Sequence, residues 1–145
     1  MSLIEWDDDL VLGIALVDSH HRHLVELLNK AHDAYLFGMK AGELEVIFNE
    51  LIDYAGYHFA TEESLMKKFV YPETISHIAE HKAFIKQITE MRNHQGADKL
   101  QSYLDIADFL LAWLITHIKN TDRLFCSSLI SNGIQITTDS EAISK

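Results

Sequence analysis

The sequence predicts an all-α protein, an antiparallel up-and-down four-helix bundle that follows an irregular N-terminal arm. Apolar residues recur at three- and four-residue steps in four long segments, which is the spacing of one buried helix face. Only one Pro and six Gly occur among the 145 residues, too few turn residues for an all-β protein. Short connections make sequence neighbours pack side by side, so a bundle buries the four apolar faces together.

Capping and helix-breaking residues indicate where each helix begins and ends. Asp18 or Ser19 can accept a hydrogen bond from a free N–H group of a first helical turn, so either is the expected N-cap of the first helix. Tyr71-Pro72 ends the second helix, because Pro lacks a backbone N–H and disfavours helical backbone at the preceding residue. The expected elements are an arm over roughly 1–17, a first helix from about 19 that ends near 38–42, and helices over about 43–69, 73–93 and 98–128.

The chain is expected to form one domain over residues 1–131, followed by a C-terminal tail over 132–145. At 145 residues it is long enough to bury a core of its own. The tail is rich in Ser and Thr, and its Ile134 and Ile136 alternate with polar residues. This pattern leaves two interpretations open, a short extended segment or a loose tail.

The composition excludes several classes of partner. The formal net charge is −10, from 22 acidic against 12 basic residues, and such a surface repels nucleic acids and anionic lipids. No apolar run reaches the ~18 residues that span a bilayer, and the N-terminus does not resemble a signal peptide. Cys126 is the only cysteine, so no intrachain disulfide is expected. We therefore expect a cytoplasmic protein without nucleic-acid partners or membrane insertion.

Ionisable residues interrupt the apolar stripes at core positions. His58 and Glu62 lie four residues apart in the second helix. His77 and His81 have the same spacing in the third helix, and His117 is in phase with the core of the fourth. Side chains four residues apart lie one above the other on a helix, so each pair converges on one point. Because buried ionisable groups are costly unless they are paired or bind a metal, this pattern indicates a metal site.

The first helix offers three candidate ligands in one short cluster. His20, His21 and His23 are nearly consecutive, and a helix turns each of them in a different direction. His21 shares a face with Leu24 and Leu28, whereas His23 lies on another face. The register therefore favours His21 as the ligand.

One candidate carboxylate, Asp122, does not follow the helical period. It lies five residues after His117, and five residues turn an ideal α-helix by about 500°, away from a common face. A local widening of the helix, of the π-bulge type found at functional sites, would bring Asp122 back to the face of His117. We hypothesise that the fourth helix contains such a bulge.

In these motifs the sequence resembles the hemerythrin family. The resemblance covers about residues 6–125 and includes four motif elements in the family's order. They are Asp18-Ser19-His20-His21, then His58-Phe59-Ala60-Thr61-Glu62-Glu63-Ser64-Leu65-Met66 with Tyr71-Pro72 after it, then His77-Ile78-Ala79-Glu80-His81, and finally His117-Ile118-Lys119-Asn120-Thr121-Asp122. The main departure is His20, which stands where Gln or Arg is more usual.

The resemblance implies a cofactor of two iron ions joined by an oxo or hydroxo group. One iron would be bound by His77, His81 and His117, and the other by His21 and His58. Glu62 and Asp122 would bridge the two metals. The iron with two histidines would keep a free position, at which O2 binds reversibly. Such a protein stores, delivers or senses O2 and is not an enzyme.

The resemblance also implies an apolar wall that excludes water from the bound O2. Phe59, Trp113 and Ile115 are the candidates for this O2 pocket, because they lie within one turn of the ligands His58 and His117. Plain core packing is the alternative role for these three side chains. The expected partners are O2 itself and either an O2-consuming oxidase or a separate signalling protein.

Competing functions differ in what they require of the sequence. Ferritin-like di-iron oxidases carry Glu-x-x-His on two helices, and no Glu in this chain has a His three residues later, so that class is excluded. An enzyme of the same fold acting on peroxide or nitric oxide, or an iron-handling protein, remains an alternative. A zinc or manganese protein is also an alternative, because first-row metals share ligand preferences.

Overall fold

The computed structural model describes residues 4–38, 40–94 and 98–139, and every regular element in these ranges is a helix. A short 3-10 helix over Asp8–Leu10 precedes the bundle. The first three long helices are α1 (Ala15–Leu36), α2 (Ala41–Lys68) and α3 (Thr74–Asn93). The fourth helical unit is continuous and consists of α4 (Lys99–Thr116), a π-helical segment (His117–Asp122) and α5 (Arg123–Ser131). We call this unit and each of the three long helices before it a rod.

The four rods form the antiparallel up-and-down bundle that the sequence predicts. Each helix packs on its neighbour in sequence, and α4 also packs on α1, which closes the bundle. One layer of the interior is apolar, and the rings of Phe48 and Tyr103 stack there with centroids 5.3 Å apart. Burying each large apolar side chain in such a layer contributes about 1.5–3 kcal/mol. No helix within the described ranges is both long enough and apolar enough to cross a membrane.

The first helix begins earlier than the sequence predicts. Its first residue is Ala15, and its N-cap Ile14 has no side chain that could cap it, so the prediction of Asp18 or Ser19 as the N-cap is wrong. Ile14 and Leu16 are buried, and the helix starts early enough to place them in the core. The Asp18 carboxylate accepts instead from the backbone N–H groups of residues 12 and 13, at 2.8 and 3.0 Å, and thereby holds the arm.

The C-terminal tail satisfies the N-terminal backbone groups of α1. The side chain of Gln135 accepts from the backbone N–H of Ala15 at 2.9 Å and donates to the carbonyl of Gly13 at 2.9 Å. The backbone N–H of Leu16 donates to the carbonyl of Ile136, also at 2.9 Å. Ile136 is buried. The first-turn N–H groups that a capping side chain would usually satisfy are thus bonded by the tail, which is attached over residues 134–136; residues 140–145 lie outside the described ranges.

Two glycines provide a matched test of this packing. Gly13 has a φ of +92°, and a Cβ added there would lie 2.9 Å from Cδ1 of Ile130. We expect Gly13→Ala to destabilise the protein by at least about 1 kcal/mol, mainly through backbone strain at this positive φ, since the Ile130 methyl group can shift. Gly56 lies inside α2 with nothing within 4 Å of its added Cβ, so Gly56→Ala should stabilise by about 0.5–1 kcal/mol. Urea unfolding measures both changes, and a shift of the same sign in the two variants would contradict this account of the arm.

Candidate metal centre

The polar interruptions of the four apolar stripes meet in the middle of the bundle. Each rod contributes at least one side chain, and no more than 3% of any of them is exposed. These side chains are His21 from α1, His58 and Glu62 from α2, His77 and His81 from α3, and His117 and Asp122 from the π-helical segment. The structure therefore brings together all seven residues that the sequence and the resemblance selected.

The seven side chains form two groups that share their carboxylates. The ligand atoms within each group lie within 4.8 Å of one another. The larger group contains three imidazoles, and its members are Glu62, His77, His81, His117 and Asp122. The smaller group contains two imidazoles, and its members are His21, His58, Glu62 and Asp122. We call these the three-His position and the two-His position, and the shared carboxylates lie where they would bridge two cations.

The π-helical segment brings Asp122 to the site. Within it, Oδ1 of Asp122 lies 3.1 Å from Nε2 of His117. Oδ2 of the same carboxylate faces the other position and lies 3.0 Å from Nε2 of His21. Since π-helical bonds run from residue i to i+5, the wider turn restores to one face two residues that a regular α-helix would separate. The hypothesis of a bulge in the fourth helix is confirmed.

The ring nitrogens of the three-His position are arranged to bind a cation. Nδ1 of His81 lies 3.0 Å from a carboxylate oxygen of Glu63, and Nδ1 of His117 lies 2.9 Å from one of Glu80. A carboxylate only accepts, so each Nδ1 carries a proton, and each imidazole in its neutral form has a bare Nε2. These two bare nitrogens lie 3.2 Å apart. They cannot hydrogen bond to each other, but a metal ion can bind both.

The shared carboxylates also lack partners among the described residues. Both oxygens of Glu62 and both oxygens of Asp122 are buried and make no hydrogen bond there, although imidazole nitrogens lie within 3.0–3.7 Å of them. Both ring nitrogens of His77 are likewise buried and make no hydrogen bond within the described ranges. Uncompensated buried charge costs several kcal/mol per group, and a bound cation removes this cost. Imidazole nitrogen and carboxylate oxygen suit first-row transition metals, so the donor set fits iron.

Proton binding and cation binding compete at these side chains. Burial alone would lower the pKa of His77, but the nearby carboxylates of Asp122 and Glu62 favour its protonated form and raise the pKa to about 10. Burial would also lower the pKa of His117, but the carboxylate of Asp122 outweighs burial and raises this pKa. Burial lowers the pKa of His58 to about 3. A metal ion that binds here therefore displaces protons from His77 and His117 and meets an already neutral His58.

Aromatic rings cover the ligands from the apolar side. The ring of Phe59 stacks on His81 with centroids 4.0 Å apart and an interplanar angle of 11°. Trp113 stacks on His117 with centroids 4.3 Å apart and an angle of 14°. Ile115 is half-buried against the core, and it is not among the residues that line the cavity described below. Its place in an O2 pocket stays a prediction.

A small internal cavity of about 20 Å³ lies next to the site. Its walls are entirely apolar, and each rod contributes a side chain three residues away from one of its own histidines. These side chains are Leu24, Ala55, Phe84 and Leu114, beside His21, His58, His81 and His117. Residues three apart lie on the same helix face, so the cavity occupies the next layer of the bundle. It has room for about one water-sized molecule, yet no polar group for a water to bind.

The sequence patterns did not predict the residues that contact Nδ1 of the ligand histidines, the ring nitrogen that faces away from the metal positions. Glu63 and Glu80 each lie beside a predicted ligand in the sequence, but their bonds cross to the next rod. Thr121 donates to Glu80 at 2.8 Å. His20 and Asp139 bond on the side of His58. A carboxylate directly next to a ligand in the chain was the available signal for Glu63 and Glu80, and nothing in the sequence marked Asp139.

Fold and site together define a metal-binding four-helix bundle with two adjacent cation positions. The family model described as the hemerythrin HHE cation binding domain matches residues 12–127. The chain belongs to the hemerythrin family, and the resemblance stated from its motifs is confirmed.

Relatives and solved structures agree with this assignment. The chain is 37% identical over 133 residues to the bacteriohemerythrin of Stenotrophomonas maltophilia (strain R551-3), which covers 89% of this chain and 83% of that protein. It is 37% identical over 143 residues to the bacteriohemerythrin of Pseudomonas aeruginosa (strain LESB58), covering 96% and 90%. A crystal structure of wild-type hemerythrin superposes with a TM-score of 0.76 at 25% identity, covering 88% of this chain and 98% of that one.

The contact between Glu80 and His117 generates a prediction about cation affinity. Glu80→Ala leaves Nδ1 of His117 without its acceptor, so the proton position and the ring orientation are no longer held. We expect Co²⁺ to bind the three-His position at least about tenfold more weakly, as measured by equilibrium dialysis. Thr121→Ala is the matched control, because it removes a contact to Glu80 but leaves the bond from His117 in place. Equal losses in the two variants would contradict a role for Glu80 in holding His117.

Proposed function

We propose that this protein binds O2 reversibly at a pair of iron ions held by the two groups of side chains, and that it stores, delivers or senses O2. The unequal number of imidazoles at the two positions carries the proposal. Three imidazoles, the two shared carboxylates and an oxo or hydroxo bridge would fill six-coordinate iron at the three-His position. The two-His position, with the same bridges, would keep one coordination site free. The iron pair would supply the electrons that reversible O2 binding requires.

The residues of the chain hold the metals and keep water away. His21 and His58 hold the two-His position from α1 and α2, and Glu62 and Asp122 fix its distance from the three-His position. The adjacent cavity favours a small apolar molecule over water, because its walls offer no hydrogen-bond partner. An apolar molecule of the size of O2 fits both the volume and the chemistry of this space.

The lining of the cavity favours binding over turnover. Turnover of peroxide requires a side chain that transfers a proton to the departing oxygen. The side chains described around the cavity are Leu, Ala, Phe and Trp, and none of them can do this. Proteins of the hemerythrin family are generally O2-binding and not enzymes. These observations support an O2-binding protein over an enzyme of the same fold.

We also propose a cellular location and two kinds of partner for this O2-binding protein. We place the protein in the cytoplasm, since its single cysteine, Cys126, cannot form an intrachain disulfide of the kind that oxidising compartments favour. A partner there would be an oxidase that consumes the delivered O2, or a separate signalling protein that reads the bound state. Neither partner needs to bind nucleic acid or lipid.

Metal content and O2 response test the proposed function directly. We expect the protein purified from iron-replete cells to contain two iron ions per chain, one for each position. Exposure to O2 should produce the visible charge-transfer absorption of an oxo-bridged iron pair, and removal of O2 should abolish it. Absorption spectroscopy with iron analysis measures both. A chain that contains zinc alone, or iron whose spectrum does not change with O2, would overturn the proposal.

Two histidines of α1 separate the ligand role from general effects on that helix. His21 is buried and points at the two-His position, whereas the His23 side chain is 44% exposed and contacts Glu26 and Tyr54. His21→Ala should lower the iron content toward one per chain and abolish the O2-dependent spectrum. His23→Ala should leave both unchanged. Indistinguishable spectra for the two variants would show that His21 is not a ligand.

A further inference from the structure

A chain of hydrogen bonds links the C-terminal tail to one of the proposed ligands. Nδ1 of His58 lies 3.0 Å from Nδ1 of His20. Nε2 of His20 lies 3.0 Å from Oδ1 of Asp139, which is 119 residues away in the sequence. His58 and His20 are buried, while the Asp139 side chain is 46% exposed. The tail thus reaches the two-His position through a single intervening side chain.

The hydrogen bonds among His58, His20 and Asp139 can run in one direction only, with each donor pointing toward Asp139. The carboxylate of Asp139 only accepts, so Nε2 of His20 carries a proton. A neutral His20 then has a bare Nδ1, which accepts from Nδ1 of His58. His58 in turn keeps a bare Nε2, and this atom faces the other members of the two-His position, 3.1 Å from Nε2 of His21. Asp139 therefore selects the tautomer in which His58 can bind a metal.

We propose that Asp139 and His20 are positioning residues for the two-His position, so that docking of the C-terminal tail completes the metal centre. The inference rests on the proposed function, since it assigns His58 to a metal. The three-His position has its own carboxylates, Glu63 and Glu80, supplied by the bundle. The two-His position takes its carboxylate from the tail. Attachment of the tail therefore sets the affinity of the cation position that would bind O2.

Within the described ranges, the carboxylate of Asp139 is the hydrogen-bond partner of Nε2 of His20. The rings of Tyr54 and Tyr57 lie against the His20 ring, with centroids 5.7 and 5.4 Å away. Tyr57 also hydrogen bonds with Asp139, which raises the pKa of Tyr57. The same carboxylate thus bonds both His20 and Tyr57, and its removal takes away the acceptor that holds the tautomer of His20.

A first experiment reads the tautomers without any metal. Long-range ¹H–¹⁵N correlation spectra of the metal-free, ¹⁵N-histidine-labelled protein distinguish a protonated from a bare ring nitrogen. We expect His20 protonated at Nε2 and bare at Nδ1, and His58 protonated at Nδ1. Asp139→Ala should mix or reverse the His20 tautomers, and Asp139→Asn should preserve them, because the amide oxygen still accepts. A wild-type His20 protonated at Nδ1, or spectra of Asp139→Ala identical to the wild type, would overturn the inference.

A second experiment measures the coupling through His20. Equilibrium dialysis with Co²⁺ resolves the affinities of the two positions in the full chain. Asp139→Ala should weaken the two-His position about tenfold and leave the three-His position unchanged. The amide oxygen introduced by His20→Gln should accept from Nδ1 of His58 without help from the tail, so in this background the further change Asp139→Ala should weaken binding by less than about twofold.

The outcomes separate this inference from the proposed function. Equal losses on Asp139→Ala in both backgrounds would show that the tail acts by packing and not through His20, and the inference would fail. Wild-type protein that binds two Co²⁺ ions but shows the wrong His20 tautomer would also overturn the inference while leaving the metal centre intact. Wild-type protein that binds no Co²⁺ would overturn the proposed function, whatever the tautomers.

Discussion

Burial of charge without internal compensation is the constraint on which the rest of this structure depends. Two carboxylates, Glu62 and Asp122, lie in the centre of the bundle with none of their oxygens hydrogen-bonded within the described ranges. The polar atoms nearest to these two carboxylates are imidazole nitrogens, 3.0–3.7 Å away. A bundle could bury leucines in this layer at no such cost. The arrangement is stable only with positive charge at its centre, supplied by protons on His77 and His117 or by metal ions that replace them.

The two positions have different numbers of imidazoles because the helices contribute different numbers of inward-facing histidines. The third helix contributes His77 and His81 to one position, whereas α1 contributes only His21 to the other. The carboxylates that hold the outer nitrogens are distributed unequally as well. Glu63 and Glu80 belong to the bundle itself, while Asp139 belongs to the tail. The position with fewer ligands is therefore also the one whose support comes from a separate segment of chain.

Two local irregularities make this centre possible. The π-helical segment lets one rod direct both His117 and Asp122 inward, at the expense of regular helical bonding over six residues. The early start of α1 leaves first-turn N–H groups without a capping side chain, and the tail satisfies them through Gln135 and the carbonyl of Ile136. The tail segment that caps α1 through Gln135 and Ile136 therefore also places Asp139 within hydrogen-bond distance of His20.

The sequence alone determined the four rods, the face that each one buries and five of the inward-facing imidazoles, because helical periodicity is local and each histidine keeps the phase of its own apolar stripe. Periodicity could not select Asp122, and only the resemblance and the hypothesis of a bulge did. The start of α1, the bonds of Glu63 and Glu80 and the role of Asp139 were decided by tertiary structure. Each of these depends on which segments of chain meet across the bundle, and no local pattern records contacts between residues far apart in sequence.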